Sequence, residues 1–189
     1  ERRKFIIADT PGHEQYTRNM ATGASTADIA IILLDARLGV LPQSRRHAAI
    51  ASLLGISQLV VAVNKMDLVS YDEAVFTALC REFGAFTEKL AFDGVSFVPV
   101  SAKRGDNVVS PGEGTPWYSG PPLLGLLDAL PLKQASPDEP FRFPVQFVLR
   151  PNLDYRGFAG MIARGVVRAG DTVVVLPSGK TTTVAAIDT

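Results

Sequence analysis

The sequence predicts an α/β domain on a mainly parallel sheet, followed by part of an antiparallel β domain. Three observations carry this. Phe5 to Ala8, Ile29 to Leu34, Leu59 to Val63 and Phe97 to Val100 are short apolar runs without polar interruption, as strands covered by helices on both faces require. Segments of helical period stand between them, and alternation of strand and helix selects a parallel sheet. Beyond Pro131 the helical period ends, and short runs separated by Gly, Pro and Asn turns take over.

Each element has a local reason. Tyr16 to Ala24 reads as a helix whose polar Thr17, Arg18 and Asn19 face a partner or solvent. Pro42 to Leu54 opens with a proline suited to a first turn and stops at Gly55. Asp72 to Phe83 places Val75, Phe76, Leu79 and Phe83 on one helical face, and Leu123 to Leu130 is closed by Pro131. These elements make residues 1–132 one domain. The polar, proline-bearing stretch 133–140 reads as a linker. Residues 141–189 hold four expected strands, Phe143 to Leu149, Phe158 to Val167, Asp171 to Leu176 and Thr181 to Ile187. Four strands leave an open edge, so this β domain is expected to be incomplete.

Composition narrows the function classes. The 189 residues carry 19 Lys+Arg and 19 Asp+Glu, a formal net charge of zero, with 47% hydrophobic residues. That balance argues against a basic nucleic-acid coat protein and an acidic disordered tail. One cysteine, Cys80, and two histidines, His13 and His47, provide neither a disulfide nor a zinc cluster. Cys80 is expected in the core and His47 at the surface. The apolar runs fall short of the ~18 residues of a membrane span, and the charged Glu1-Arg2-Arg3-Lys4 opening is unlike a signal peptide. The expectation is a soluble cytoplasmic protein with no membrane partner.

The chemistry-bearing residues follow the apolar runs. In open α/β sheets ligands bind beyond the carboxyl ends of the strands. Asp9-Thr10-Pro11-Gly12-His13 follows the first run, Asn64-Lys65-Met66-Asp67 the third, and Ser101-Ala102-Lys103 the fourth, so three loops are expected to converge. A guanine nucleotide with Mg²⁺ gives each a task. Asp9 can hold a magnesium-bound water, since Mg²⁺ keeps several waters and uses few protein carboxylates. Gly12 lets its N–H approach a terminal phosphate, and His13 is placed to orient an attacking water. Asp67 only accepts, and guanine offers two adjacent donors where adenine offers an acceptor and no amine. The Lys65 stem can lie along the base with its ammonium in solvent. Asn64 can tie the loops together, and Ala102 can offer its N–H to the guanine carbonyl. Taken singly, Asn-Lys-x-Asp also suits an Asx turn and Asp-x-x-Gly a helix N-cap. In order and each at a strand end, they read as a guanine-nucleotide site.

These loops resemble the third, fourth and fifth motifs of translation-factor-type GTPases, through Asp9 to Tyr16 and Asn64 to Asp67. Arg18 to Ser25, Ile50 to Ile56, Gly105 to Val109, Pro116 to Pro121, Arg142 to Gln146, Arg150 to Asp154 and Arg156 to Gly160 are similar to the GTPase subunits of sulfate adenylyltransferases. The resemblance spans nearly the whole chain and implies a P-loop GTPase-type domain followed by part of an antiparallel β-barrel. It implies GTP and Mg²⁺ as cofactors and a smaller catalytic subunit as partner. GTP hydrolysis would drive that partner to make adenosine 5′-phosphosulfate from ATP and sulfate. An elongation-factor-like GTPase binding RNA is the alternative. The scattered Arg142, Arg150, Arg156, Arg164, Arg168 and Lys180 do not form the cluster an RNA carrier would show, so no nucleic-acid partner is expected.

Two departures from the family pattern stand out. A phosphate-binding Gly-x-x-x-x-Gly-Lys-[Ser/Thr] loop and a switch threonine are expected ahead of Asp9, where only eight residues stand. On these residues alone, GTP binding is expected to be weak and hydrolysis close to nil. Ser178-Gly179-Lys180-Thr181 sits between strand-like runs and is read as a hairpin turn instead. Lys103 stands where the family more often has an aliphatic residue, and its side chain is expected to face solvent.

Overall fold

The computed structural model describes residues 3–9, 17–132, 139–152 and 155–188. It divides into two units, Glu1–Lys133 and Gln134–Thr189. In the first, the elements run α1 (Thr17–Ala24), β1 (Ile29–Asp35), α2 (Pro42–Leu53), β2 (Gln58–Asn64), a short 3-10 helix (Met66–Val69), α3 (Glu73–Thr87), β3 (Gly94–Pro99) and α4 (Leu123–Ala129). The three strands lie in the order β1-β2-β3 and pair in parallel. Asp35 is the register partner of Asn64, and Val63 of Pro99, so the loops leaving the sheet start at one level.

The central strand explains the layering. Gln58 to Val63 are all buried, because a strand with apolar side chains on both faces needs cover on both. On one face Ile32, Leu34, Leu59 and Val61 pack with Ala48 of α2 and Phe83 of α3. On the other, Val60, Ala62 and Val98 pack with Leu123, Leu126 and Leu127 of α4. Cover of that second face is incomplete over β1, where Ile31 and Leu33 are 46% and 63% exposed. Local chemistry sets the helix ends. Pro42 occupies the first turn of α2, and the Asp72 carboxylate accepts the Ala74 N–H at 2.7 Å to cap α3.

One expected strand does not form. Phe5 to Ala8 carry no strand, and Ile6 and Ile7 are 94% and 86% exposed. A four-residue apolar run holds an extended ladder only with a paired neighbour and a face to bury, and this segment has neither among the described residues. Arg3 instead anchors the segment, donating from Nη1 to Leu127 O at 3.1 Å and Leu130 O at 2.6 Å, where a cation suits a helix C-terminus. The other strands shift in their bounds: β1 and β2 each extend to the polar residue that ends the run, and β3 begins at Gly94.

The second unit holds two antiparallel pairs, β4 (Phe147–Leu149) with β5 (Gly157–Ala159) and β6 (Thr172–Val175) with β7 (Lys180–Thr183). These are shorter than the apolar runs that announce them, since pairing extends only as far as both partners stay in register. Val175 opposes Lys180 across residues 176–179, with Gly179 at φ +69°. Ser178-Gly179-Lys180-Thr181 is thus the turn of a hairpin and the start of its second strand.

Candidate functional site

β2 delivers Asn64 to the sheet edge, and the chain then turns sharply. Lys65 takes a left-handed φ of 65°, a conformation that costs a non-glycine residue roughly 1–3 kcal/mol and persists where its surroundings over-determine it. Three contacts do so here. The Asn64 Oδ1 accepts the Lys65 N–H at 2.7 Å, the Met66 N–H donates to Val100 O at 3.2 Å, and the fully buried Met66 side chain packs with Val63, Ala36 and Leu79. Met66 is therefore the anchor of its loop. Asp67 follows in the first turn of the 3-10 helix.

The loop after β3 meets this one directly. Ser101, fully buried, donates from Oγ to Asp67 Oδ1 at 2.8 Å, and the Ala102 N–H donates to Asn64 Oδ1 at 3.0 Å. The chain reverses through Gly105, whose N–H donates to Ser101 O at 2.7 Å with φ +85°. Asn107 fixes the rest of the loop from inside. It is 2% exposed, donates from Nδ2 to Pro99 O and to Thr115 Oγ1 at 2.8 Å each, and accepts the Gly112 N–H at 2.8 Å. Asp106 bonds the Tyr71 hydroxyl, and burial together with that bond raises the Tyr71 pKa above its ordinary value. The Trp117 indole N–H donates to Tyr71 O at 3.0 Å, and its ring lies 5.3 Å from Phe76, so the Trp117-Tyr118 loop folds back on its own unit.

Asn64, Lys65, Asp67, Leu68 and Lys103 line a cavity of about 220 Å³. That is smaller than the ~300–1,000 Å³ typical of a whole drug-sized ligand and suits a single flat ring system. Its walls combine one carboxylate, one carboxamide and the aliphatic parts of Leu68 and two lysines. A wider concavity of about 660 Å³ along α3, lined by Asp72, Glu73, Ala74, Thr77, Ala78 and Arg81, shares no residue with these loops. All six of its lining residues are exposed, which makes it a shallow surface rather than a site.

Two expectations need correction. The Lys65 ammonium is not simply in solvent: it pairs with Asp35 Oδ2 at 2.8 Å, because the Asp35 and Asn64 register places both at the same edge. The Ala102 N–H is engaged by Asn64, so its first task is to tie the loops. Lys103 is exposed at the cavity mouth. The expected convergence of three loops reduces, among the described residues, to two: Asp9 is exposed and outside any strand, and Thr10, Pro11, Gly12 and His13 lie outside the described residues. No cluster of three or more His, Cys, Asp or Glu side chains able to hold a metal exists among the described residues. A Mg²⁺ ion held through water by one carboxylate and by phosphates requires no such cluster.

Sequence reasoning missed Asp35, Arg37 and Asn107. Asp35 ends an apolar run at the same sheet edge as Asn64, a placement that could have drawn attention. Asn107 lies within the Gly105 to Val109 stretch that carries the family resemblance, but nothing in that stretch announces its burial. His47 is half-buried rather than at the surface, bonded to Gln43 at 2.8 Å, and burial followed by nearby Arg46 lowers its pKa. Cys80 is partly buried, and burial pushes its thiol up to about 11. No helix among the described residues is long and apolar enough to cross a membrane.

The chain has similar known proteins. The chain is 60% identical over 184 residues to sulfate adenylyltransferase subunit 1 of Sulfurovum sp. (strain NBC37-1), covering 97% of this chain and 38% of that protein. It is 62% identical over 187 residues to the protein of that name from Laribacter hongkongensis (strain HLHK9), covering 99% and 39%. The chain thus spans about two fifths of the length of the curated relatives it matches. The crystal structure of Sup35 complexed with GMPPNP is similar with a TM-score of 0.53 at 31% identity, over 87% of this chain and 43% of that one. Residues 1–136 match the Elongation factor Tu GTP binding domain, and the chain belongs to that family.

Proposed function

We propose that the intact protein binds and hydrolyses GTP and couples this to the synthesis of adenosine 5′-phosphosulfate from ATP and sulfate, carried out with a smaller catalytic subunit. The observation that supports nucleotide recognition best is the joining of Asn64, Asp67, Ser101 and Ala102 around one small cavity. The names of the similar full-length proteins support the sulfate chemistry, and their designation as subunit 1 supports a partner. Identity to those relatives is about twice that to the Sup35 structure, which favours sulfate activation as the reading.

The chain's residues divide the work as follows. The Asp67 carboxylate has about four lone-pair sites, of which Ser101 uses one, leaving acceptors for the ring N–H and amine of guanine. Adenine would leave those acceptors unpaired, a loss of roughly 1–3 kcal/mol per buried group. Leu68 and the stems of Lys65 and Lys103 flank the base. By the family resemblance, Asp9 would hold a metal-bound water, the Gly12 N–H would meet the terminal phosphate, and His13 would orient the attacking water. Mg²⁺, when bound, neutralises phosphate charge during transfer. Forming a phosphate–sulfate anhydride is strongly uphill, which is the reason for coupling it to a second nucleotide hydrolysis.

Calorimetric titration of the intact protein with GTP and ADP, followed by pyrophosphate release from ATP and sulfate with the partner present, tests this reading. Saturable GTP binding and GTP-stimulated pyrophosphate release are expected. Absence of GTP binding by the intact protein rejects the nucleotide reading, and GTP binding without stimulation rejects the sulfate reading.

A further inference from the structure

The carboxylate of Asp35 stands at the sheet edge between two cations. Arg37 clamps it in three places: its backbone N–H donates to Oδ1 at 3.0 Å, Nε to Oδ1 at 3.0 Å, and Nη2 to Oδ2 at 2.7 Å. Lys65 Nζ reaches the same Oδ2 at 2.8 Å. The Asp35 side chain is only 13% exposed, against 45% for each cation. A carboxylate fixed by a bidentate guanidinium is a rigid post for the lysine. The flexible four-carbon stem of Lys65 is thereby held at both ends, by the Asn64-braced left-handed backbone and by Asp35.

We propose that Asp35 is a positioning residue for base recognition, acting through Lys65 to hold its stem as one wall of the cavity. This rests on the reading of the Asn64 to Asp67 and Ser101 to Lys103 loops as a guanine site. The argument is entropic: an unanchored lysine loses rotamer freedom when a ring stacks against its stem, and a lysine already held by Asp35 loses less. Preorganisation of that kind shows in the rate at which ligand leaves. The depressed Asp35 pKa, caused first by the Arg37 hydrogen bond and also by Lys65, keeps the post charged at every physiological pH.

The test is a double-mutant cycle on release of a fluorescent GDP from the intact protein, with Asp35→Asn, Lys65→Met, the pair, and Asp67→Asn as reference. Asp35→Asn should speed release about two- to fivefold, the range of a partly exposed ion pair, and rising salt should narrow its difference from wild type. In the Lys65→Met background the same change should do nothing. Arg37→Gln, at an exposed site, should act in the same direction more weakly and covers the case in which Asp35→Asn folds poorly. An equal effect of Asp35→Asn with and without the Lys65 ammonium would mean a merely structural role and overturns the proposal. So does an unchanged rate in Asp35→Asn while Asp67→Asn releases GDP faster. If Asp67→Asn also leaves release unchanged, the guanine site itself is refuted and the proposal falls with it.

Discussion

Asn64 and Ala102, 38 residues apart, are joined by a 3.0 Å bond from the Ala102 N–H to Asn64 Oδ1, the same oxygen that braces Lys65 at 2.7 Å. One side chain therefore sets both walls of the cavity. Removing it would leave two N–H groups without their partner and release the strained Lys65 turn.

Asn64→Ala should accordingly weaken GDP binding by the intact protein at least tenfold and lower stability by roughly 0.5–1.5 kcal/mol, since both lost bonds are exposed. Calorimetry and urea unfolding measure the two effects. A variant that binds GDP as wild type does would show that the tie is not what shapes the site.

Asn107→Ala removes a buried side chain with three hydrogen bonds and places alanine at a φ of +55°. A loss of about 2–4 kcal/mol is expected from stranded partners and backbone strain together. The urea midpoint should fall with an unchanged slope. A loss below about 0.5 kcal/mol contradicts the assignment of Asn107 as the brace of the loop.

Cys80 supplies a test of burial. With its thiol pushed up to about 11 by burial, against roughly 8.5 for a free cysteine, the thiolate population at pH 8 is reduced about 10²-fold. Reaction with a disulfide reagent should be slower than in urea by about tenfold or more, since the higher-pKa thiolate is the better nucleophile and offsets part of the population loss. Equal rates before and after unfolding would mean the α3 packing is wrong.

Asp35 gives a pH dependence with a definite sign. Its folded pKa lies below the usual carboxylate value, through Arg37 and then Lys65, so the unfolded chain binds the proton first as pH falls. The stability this contributes is present above the unfolded value of about 4 and is lost progressively below it. The gap in urea midpoint between wild type and Asp35→Asn should stay constant from about pH 7 to pH 5 and close as acid is added. A gap that widens in acid would reverse the sign and reject the pairing.

Much of the fold was legible because apolar runs and helix caps are local. Pro42 and Asp72 sit where the sequence places helix starts, and the buried Gln58 to Val63 strand is continuous in composition as in structure. Phe5 to Ala8 misled because strand formation depends on a neighbour that composition does not report. At the candidate site, residue types and order singled out Asn64, Asp67, Ser101 and Ala102, which the fold joins by hydrogen bonds. The Asp35 to Lys65 ion pair spans 30 residues and exists only through the β1–β2 register, and Asn107, though inside a family-like stretch, matters through a burial the stretch does not report.

In the proposed reading, the joined loops recognise guanine through Asp67. The most direct measurement is competition of GTP and ATP for the intact protein, wild type against Asp67→Asn. A strong preference for GTP is expected in the wild type, falling at least tenfold in the variant with the urea midpoint little changed. Undiminished discrimination in Asp67→Asn would contradict it.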